Sequence, residues 1–238
     1  MKQIISLLFL FSVVFGGSYY AKIEPIYKYT IASSAAGEIK HANESQEGKI
    51  AKDEIIKIDD ELDRANYELL KVVYENLKAI YESKLSIYEK IEAMTTKSQI
   101  EKENEKITML TAKNNMLNAK LQLEELEDRL LKKTIRNDGL YIYKIFVKEG
   151  DFVNLGAKLV ELHDVSASRL VIYVDKDDID NIKKKKILVN GKPNLYKIDK
   201  AFMVADSEFI SNYRVELVGP AVKKFSEIAV IEILKEGK

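Results

Sequence analysis

LLKVVYENLKAIYESKLSIYEKIEAM, from Leu69 to Met94, is followed by Thr95-Thr96-Lys97-Ser98-Gln99-Ile100-Glu101, and these two segments decide the fold. Apolar residues recur at Leu70, Val73, Leu77, Ile80, Ile87, Ile91 and Met94, a three-four alternation broken only by Lys84, which predicts one strand of a coiled coil. Ser98 and Glu101 have the spacing of a capping box, in which each side chain takes a free backbone N–H of the other residue. A second helix therefore starts there. Its expected seam is Ile107, Leu110, Asn114, Leu117 and Leu121, passing to Leu123, Leu126 and Leu130 on a neighbouring face, and neither Gly nor Pro interrupts 60–133. Two antiparallel helices about 50 Å long follow, more than a chain of this size needs to close a core.

The 238 residues carry 38 basic and 38 acidic side chains, so no overall field draws the chain to nucleic acid or to an anionic surface. Lys2, the apolar run Ile4 to Phe15 and then Gly16-Gly17-Ser18 read as a signal peptide over 1–18, cleaved near Ser18 or Ala21. An apolar run this short does not span a bilayer. The alternative is an uncleaved anchor. Cysteine is absent, which removes disulfides and a lipid-modified cysteine and fits a bacterial periplasm.

The flanks of the helical stretch echo each other. Before it stand Gly37, Glu38-Ile39, Glu47-Gly48 and Ile55 to Ile58. After it stand Gly139, a strand from Leu140 to Val147, Glu149-Gly150-Asp151, Val153, Gly156 and Leu159. Gly48 and Gly150 occupy turns expected to need positive φ. From Ser168 onward short strands are expected at 170–174, 186–189, 195–198, 201–204, 212–218 and 228–234, with helical turns at 177–182.

Two Glu-Gly half-motifs separated by a helical hairpin resemble the split biotinyl/lipoyl domain of periplasmic adaptors, also called membrane fusion proteins. Gly37, Glu47, Gly48, Gly139, Gly150, Asp151, Val153, Gly156 and Leu159 carry the resemblance, which covers about residues 30–175. The family has a small β-barrel after this domain. The implied fold is α+β and multidomain: signal peptide 1–18, N-terminal segment and first lipoyl half 19–60, hairpin 61–133, second lipoyl half 134–166 and β-barrel 167–238.

His41 and His163 lack ligating company, so neither a metal nor any cofactor is expected. No nucleophile elbow, phosphate loop or catalytic carboxylate pair occurs, so no enzyme is expected. Asp59-Asp60 and Asp177-Asp178 read as helix starts. A carrier lysine is disfavoured, because the helical stretch occupies the turn that would display it. Lys183, Lys184, Lys185 and Lys186 read either as a solvated turn or as a contact with an inner-membrane transporter.

The resemblance implies an adaptor of a tripartite efflux pump, joining an RND-type transporter to a TolC-like outer-membrane channel, as a homo-oligomer of six copies without nucleic-acid contacts. An ABC-type exporter or a non-pump coiled-coil scaffold are the alternatives. The channel contact would be the tip, Ile91, Met94, Thr95, Ser98 and Glu101. In the family's tip pattern Ile91 and Ser98 match a leucine and a serine seven residues apart, and Ile87 stands where an arginine is usual.

Overall fold

The computed structural model describes residues 15–205 and 211–234. In chain order the elements are β1 (Phe15–Lys22), β2 (Glu24–Ala32), β3 (Gly37–Ala42), β4 (Ile50–Ile58), α1 (Glu61–Glu92), α2 (Gln99–Lys132), β5 (Thr134–Ile145), β6 (Phe152–Val153), β7 (Lys158–Val174), α3 (Lys176–Ile179), β8 (Lys186–Val189), β9 (Lys192–Pro193), β10 (Lys197–Ala205), β11 (Tyr213–Pro220) and β12 (Ile228–Leu234). They form two compact units, residues 30–161 and the remainder.

In the unit of residues 30–161, β3 pairs with β4 and β4 with β5, all antiparallel, and β6 adds to β3. Ile39, Ile55, Ile56, Ile58, Ile142 and Leu159 are fully buried. The two flanks of the helices interlock through the backbone: Ile39 N–H donates to Asp151 O, Gly150 N–H to Ile39 O, and Gly48 N–H to Ile142 O. Gly48 (φ 78°) and Gly150 (φ 89°) have the expected positive φ. The acidic side chain of the first Glu-Gly turn also has work to do, since Glu47 accepts from Ile145 N–H at 2.6 Å.

α1 and α2, 32 and 34 residues, are each about 50 Å long at 1.5 Å per residue. They run antiparallel: Asp63 near the start of α1 pairs with Lys133 just past α2, and Glu92 O at the other end accepts from Lys102 Nζ. Their seam differs from the expected one. On α1 the covered positions run Asp63, Tyr67, Leu70, Tyr74, Leu77, Tyr81, Lys84, Tyr88 and Ile91, with Leu85 beside them, a four-three alternation in which a tyrosine recurs every seventh residue. Val73, Ile80 and Ile87, one residue earlier each time, are exposed. On α2 the seam is Met109, Ala112, Met116, Ala119, Leu123, Leu126 and Leu130, while Ile107, Leu110, Asn114, Leu117 and Leu121 face solvent. Met109 is 9% and Ala119 5% exposed, against 60% for Ile107. Volume suits this choice: the covered residues of α1 include four bulky tyrosines and those of α2 include the small Ala112 and Ala119, a mix of large and small that fills a seam without overpacking.

Asp59 and Asp60 also depart from a simple helix start. Asp59 Oδ1 accepts from Glu61 N–H, but Asp60 makes no cap bond and instead binds Lys57 at 2.6 Å and Arg64 at 2.7 Å. Burial raises the Asp60 pKa, and the hydrogen bonds from Lys57 and Arg64 outweigh it, leaving the group below the usual carboxylate range.

In the other unit, β1-β12-β8-β9 form one antiparallel sheet, and β10, β11 and the second half of β7 form another. Leu170, Ile172 and Val174 on β7, Val215 and Leu217 on β11, and Ile231 and Ile233 on β12 supply a shared core by period-two alternation. Ile182, on the turn before β8, belongs to the same core. The expected strands at 195–198 and 201–204 are a single strand, β10, starting at Lys197. The helical turns at 177–182 break at Asn181, whose left-handed backbone (φ 56°) separates α3 from a 3₁₀ turn at Ile182–Lys184.

β1 has no counterpart among the expected strands. Most of the expected signal segment, residues 1–14, lies outside the described residues, but β1 begins at Phe15 and pairs from Ser18 through Lys22 with β12. Ala21 and Ile23 are core residues. Both expected cleavage points, Ser18 and Ala21, thus fall within a paired strand.

Candidate partner interfaces

The first candidate interface is the end of the helical pair. α1 closes with Ala93 N–H on Glu89 O and Met94 N–H on Ile91 O. α2 opens with the capping box that the Ser98/Glu101 spacing predicts: Ser98 Oγ accepts from Glu101 N–H at 3.3 Å, and Glu101 Oε2 accepts from Ser98 N–H at 2.9 Å and from Ser98 Oγ at 3.0 Å. Lys97 Nζ donates to Glu101 Oε1 at 2.9 Å. That bond, with those from Ser98, lowers the Glu101 pKa to about 2. Met94, Thr95, Ser98 and Glu101 are exposed and Ile91 is half-buried at the end of the seam. The result is a small knob in which Lys97, Ser98 and Glu101 bond one another and Met94 is exposed. No arginine stands at the position of Ile87, and of the lysines that could replace it Lys84 is half-buried on the seam whereas Lys90 is exposed.

The second candidate is the lysine run. The chain does not present its four lysines as one patch. Lys183 and Lys184 are exposed on the 3₁₀ turn and Lys186 on β8, but Lys185 turns inward, donating to Asp177 O at 2.8 Å and Asp178 O at 2.9 Å beside the Asp178 carboxylate. Asp178 is 2% exposed and also accepts from Gly17 N–H and the Tyr19 hydroxyl. Asp177 and Asp178 lie in the first turn of α3, as the sequence predicts, with Asp175 as its cap, and Asp178 also ties α3 to β1. Burial and the Asp178 hydrogen bond raise the Tyr19 pKa. Lys183 and Lys184 share a cavity of about 510 Å³ with Lys176, Phe202 and Met203, and Met203 is 93% exposed. Sequence reading missed the two apolar residues because a strand residue's facing is set by its sheet partners.

Among the described residues no group of three His, Cys, Asp or Glu could hold a metal ion, and no helix is long and apolar enough to cross a membrane.

No family model matches the sequence, and no curated protein matches it either. Solved structures do match. MacA from Actinobacillus actinomycetemcomitans superposes with a TM-score of 0.69 at 16% identity, over 92% of this chain and 78% of that one. A MacA-MexA chimera carrying the Pseudomonas aeruginosa MexA α-hairpin domain gives 0.73 at 16% identity, over 92% and 81%. The fold is that of the membrane fusion proteins. The membrane fusion protein Spr0693 from Streptococcus pneumoniae extends the likeness, at 0.67 and 8% identity over 94% of this chain and all of the other. At such identities the fold is what is shared.

Proposed function

We propose that this chain is the adaptor subunit of a tripartite efflux pump, linking an inner-membrane RND-type transporter to a TolC-like outer-membrane channel from the periplasm and catalysing nothing itself. The helical pair is the hairpin, the β unit from which it springs is the split lipoyl-like domain, and the two-sheet unit is the barrel. The observation that carries the reading is a rod about 50 Å long held at its base by backbone bonds between the two flanks and by the Asp63–Lys133 pair. A rod fixed this way can span a gap, and its knob of Ile91, Met94, Thr95, Ser98 and Glu101 is the surface assigned to the channel. Lys183, Lys184 and Lys186, with Phe202 and Met203, are the surface assigned to the transporter. Lys185 serves the fold. Copies would associate into a ring, six in the reading by resemblance.

An ABC-type exporter is the second reading for the transporter. Purification of the tagged full chain from membranes, with mass spectrometry of what accompanies it, tests both. A multi-span transporter and an outer-membrane channel are expected, and the transporter's class decides between them. Recovery of the chain without either would leave it a coiled-coil scaffold.

A further inference from the structure

Asp178 is buried, yet its carboxylate is incompletely matched. Oδ2 accepts from Gly17 N–H at 3.1 Å and from the Tyr19 hydroxyl at 2.7 Å. Oδ1 has no hydrogen-bond partner among the described residues. Lys185 Nζ stands 3.6 Å from Oδ1 and gives its donors to Asp177 O and Asp178 O. Asp175, which accepts from Asp178 N–H, brings a second negative charge to the same place. A buried carboxylate is stable when it is both paired and hydrogen-bonded, and this one is short of positive charge.

The group that β1 offers it is a backbone nitrogen, and that nitrogen comes close because residue 17 has no side chain. A Cβ on Gly17 would lie 2.5 Å from Asp178 Oδ2 and 2.6 Å from Tyr19 Oη. In the sequence Val14-Phe15-Gly16-Gly17, compact residues stand three and one positions before Gly17, at the end of the apolar run, which is the pattern a leader peptidase cuts. We propose that the leader is removed between Gly16 and Gly17 and that the freed α-ammonium of Gly17 docks on the Asp178 carboxylate. Hydrolysis consumes one water. Its oxygen goes to the new carboxylate of Gly16 and both its hydrogens end on the Gly17 nitrogen, so a neutral amide donor becomes a cation with three donors at the same point. Charge-assisted hydrogen bonds are about twice as strong as neutral ones, and an ammonium has the donors to serve Oδ1 as well. The other cuts undo the fold's own contacts. Cleavage after Ser18 discards the Gly17 bond and the Ser18–Glu232 pair, and cleavage after Ala21 discards Tyr19 and a core residue besides. Cleavage after Gly16 takes from β1 only Gly16 and Phe15, which lies beyond the irregularity that separates it from Ser18. The exported chain thus gains an ion pair at the start of β1 that the unprocessed chain lacks.

The full chain, with its own leader and a C-terminal tag, is exported by a Gram-negative host and its N-terminus sequenced. Gly17-Ser18-Tyr19 is expected, and a start at Met1, Tyr19 or Lys22 would overturn the proposal. The pairing is read by reacting the purified protein with cyanate, which attacks the neutral amine, and following the N-terminal peptide by mass spectrometry. Carbamylation in the folded wild type is expected to be at least about tenfold slower than in guanidinium, because a carboxylate in contact holds the amine in its charged form. Asp178→Asn is expected to remove that protection. Gly17→Ala, which leaves the residues before the cut unchanged, is expected to be processed at the same bond and to lose protection too, since its methyl group displaces the carboxylate. Equal rates in the folded and unfolded wild type, or protection that survives in folded Asp178→Asn or in Gly17→Ala, would overturn the ion pair.

Discussion

Asp63 and Lys133, seventy residues apart in sequence, meet at 2.5 Å with only 12% and 13% of their side chains exposed, at the point where the helical pair enters the β unit. Arg129 approaches the same carboxylate at 3.5 Å, and Ile58 N–H donates to Lys133 O close by. The pair fixes the rod's base by charge where the seam ends. Asp63→Ala leaves two cations without their anion and is expected to cost about 3 kcal/mol. Lys133→Met, which leaves Arg129 on Asp63, is expected to cost less. Thermal unfolding of the two variants checks the order.

The seam makes a sharper prediction because adjacent residues have opposite fates. Leu77 is covered and Leu117 exposed, so Leu77→Asp is expected to destabilise the helical pair by several kcal/mol and Leu117→Asp by much less. Ala119 is 5% exposed within the seam, and Ala119→Leu is expected to cost about 1–3 kcal/mol through overpacking. Circular dichroism melting of the three variants distinguishes this seam from the one that runs through Leu117.

The helices, their antiparallel turn and the capping box were legible because Gly and Pro are missing and Ser98 and Glu101 have one meaning at that spacing. Half of the α1 seam was legible too, at Leu70, Leu77, Lys84 and Ile91. The other half was not, since each tyrosine is preceded by Val73, Ile80 or Ile87, and hydropathy ranks the aliphatic residue first. The choice depends on volume across the interface, where Ala112 and Ala119 make room for rings, and one helix's sequence does not carry its partner's volume. β1 was hidden for a different reason: its residues continue an apolar run that reads as a leader, and only pairing with β12, two hundred residues away, makes it a strand. Gly48 and Gly150 were legible from the Glu-Gly turns, and the lysine run misled at Lys185 because no local pattern announces the buried Asp178.

Gly48 offers a test of backbone conformation separated from packing. A Cβ there would meet nothing nearer than Tyr141 Oη at 3.9 Å, so Gly48→Ala is limited to the cost of positive φ, about 1 kcal/mol. A stability equal to wild type in chemical denaturation would mean that the turn relaxes to negative φ.

The tip should keep its shape in acid. Glu101 is held at a pKa of about 2, foremost by Lys97 and then by Ser98. A depressed folded-state pKa means that its contribution is fully present above the unfolded value, about 4.3, and is lost as pH falls through about 2. Titration of the Glu101 carboxyl by NMR should show the lowered midpoint, and Lys97→Ala should raise it. A midpoint near 4.3 in the wild type would show the capping box open in solution.

Docking of the tip to an outer-membrane channel can be separated from its helix-capping role at Ser98. Ser98→Ala removes the side-chain cap, costs about 1 kcal/mol and adds no charge. Ser98→Asp retains a capping oxygen, and its carboxylate would face that of Glu101, whose Oε2 accepts from Ser98 Oγ at 3.0 Å. Pairing it with Glu101→Gln relieves that repulsion and keeps the capping-box spacing. Ser98→Asp/Glu101→Gln should therefore melt near wild type while moving the tip's negative charge from position 101 to position 98, beside Met94 and Thr95. If the knob is the channel contact, efflux should fall sharply in this variant and survive the milder instability of Ser98→Ala. Full efflux by normally expressed Ser98→Asp/Glu101→Gln would remove the tip from the contact and leave Ser98 as a helix cap.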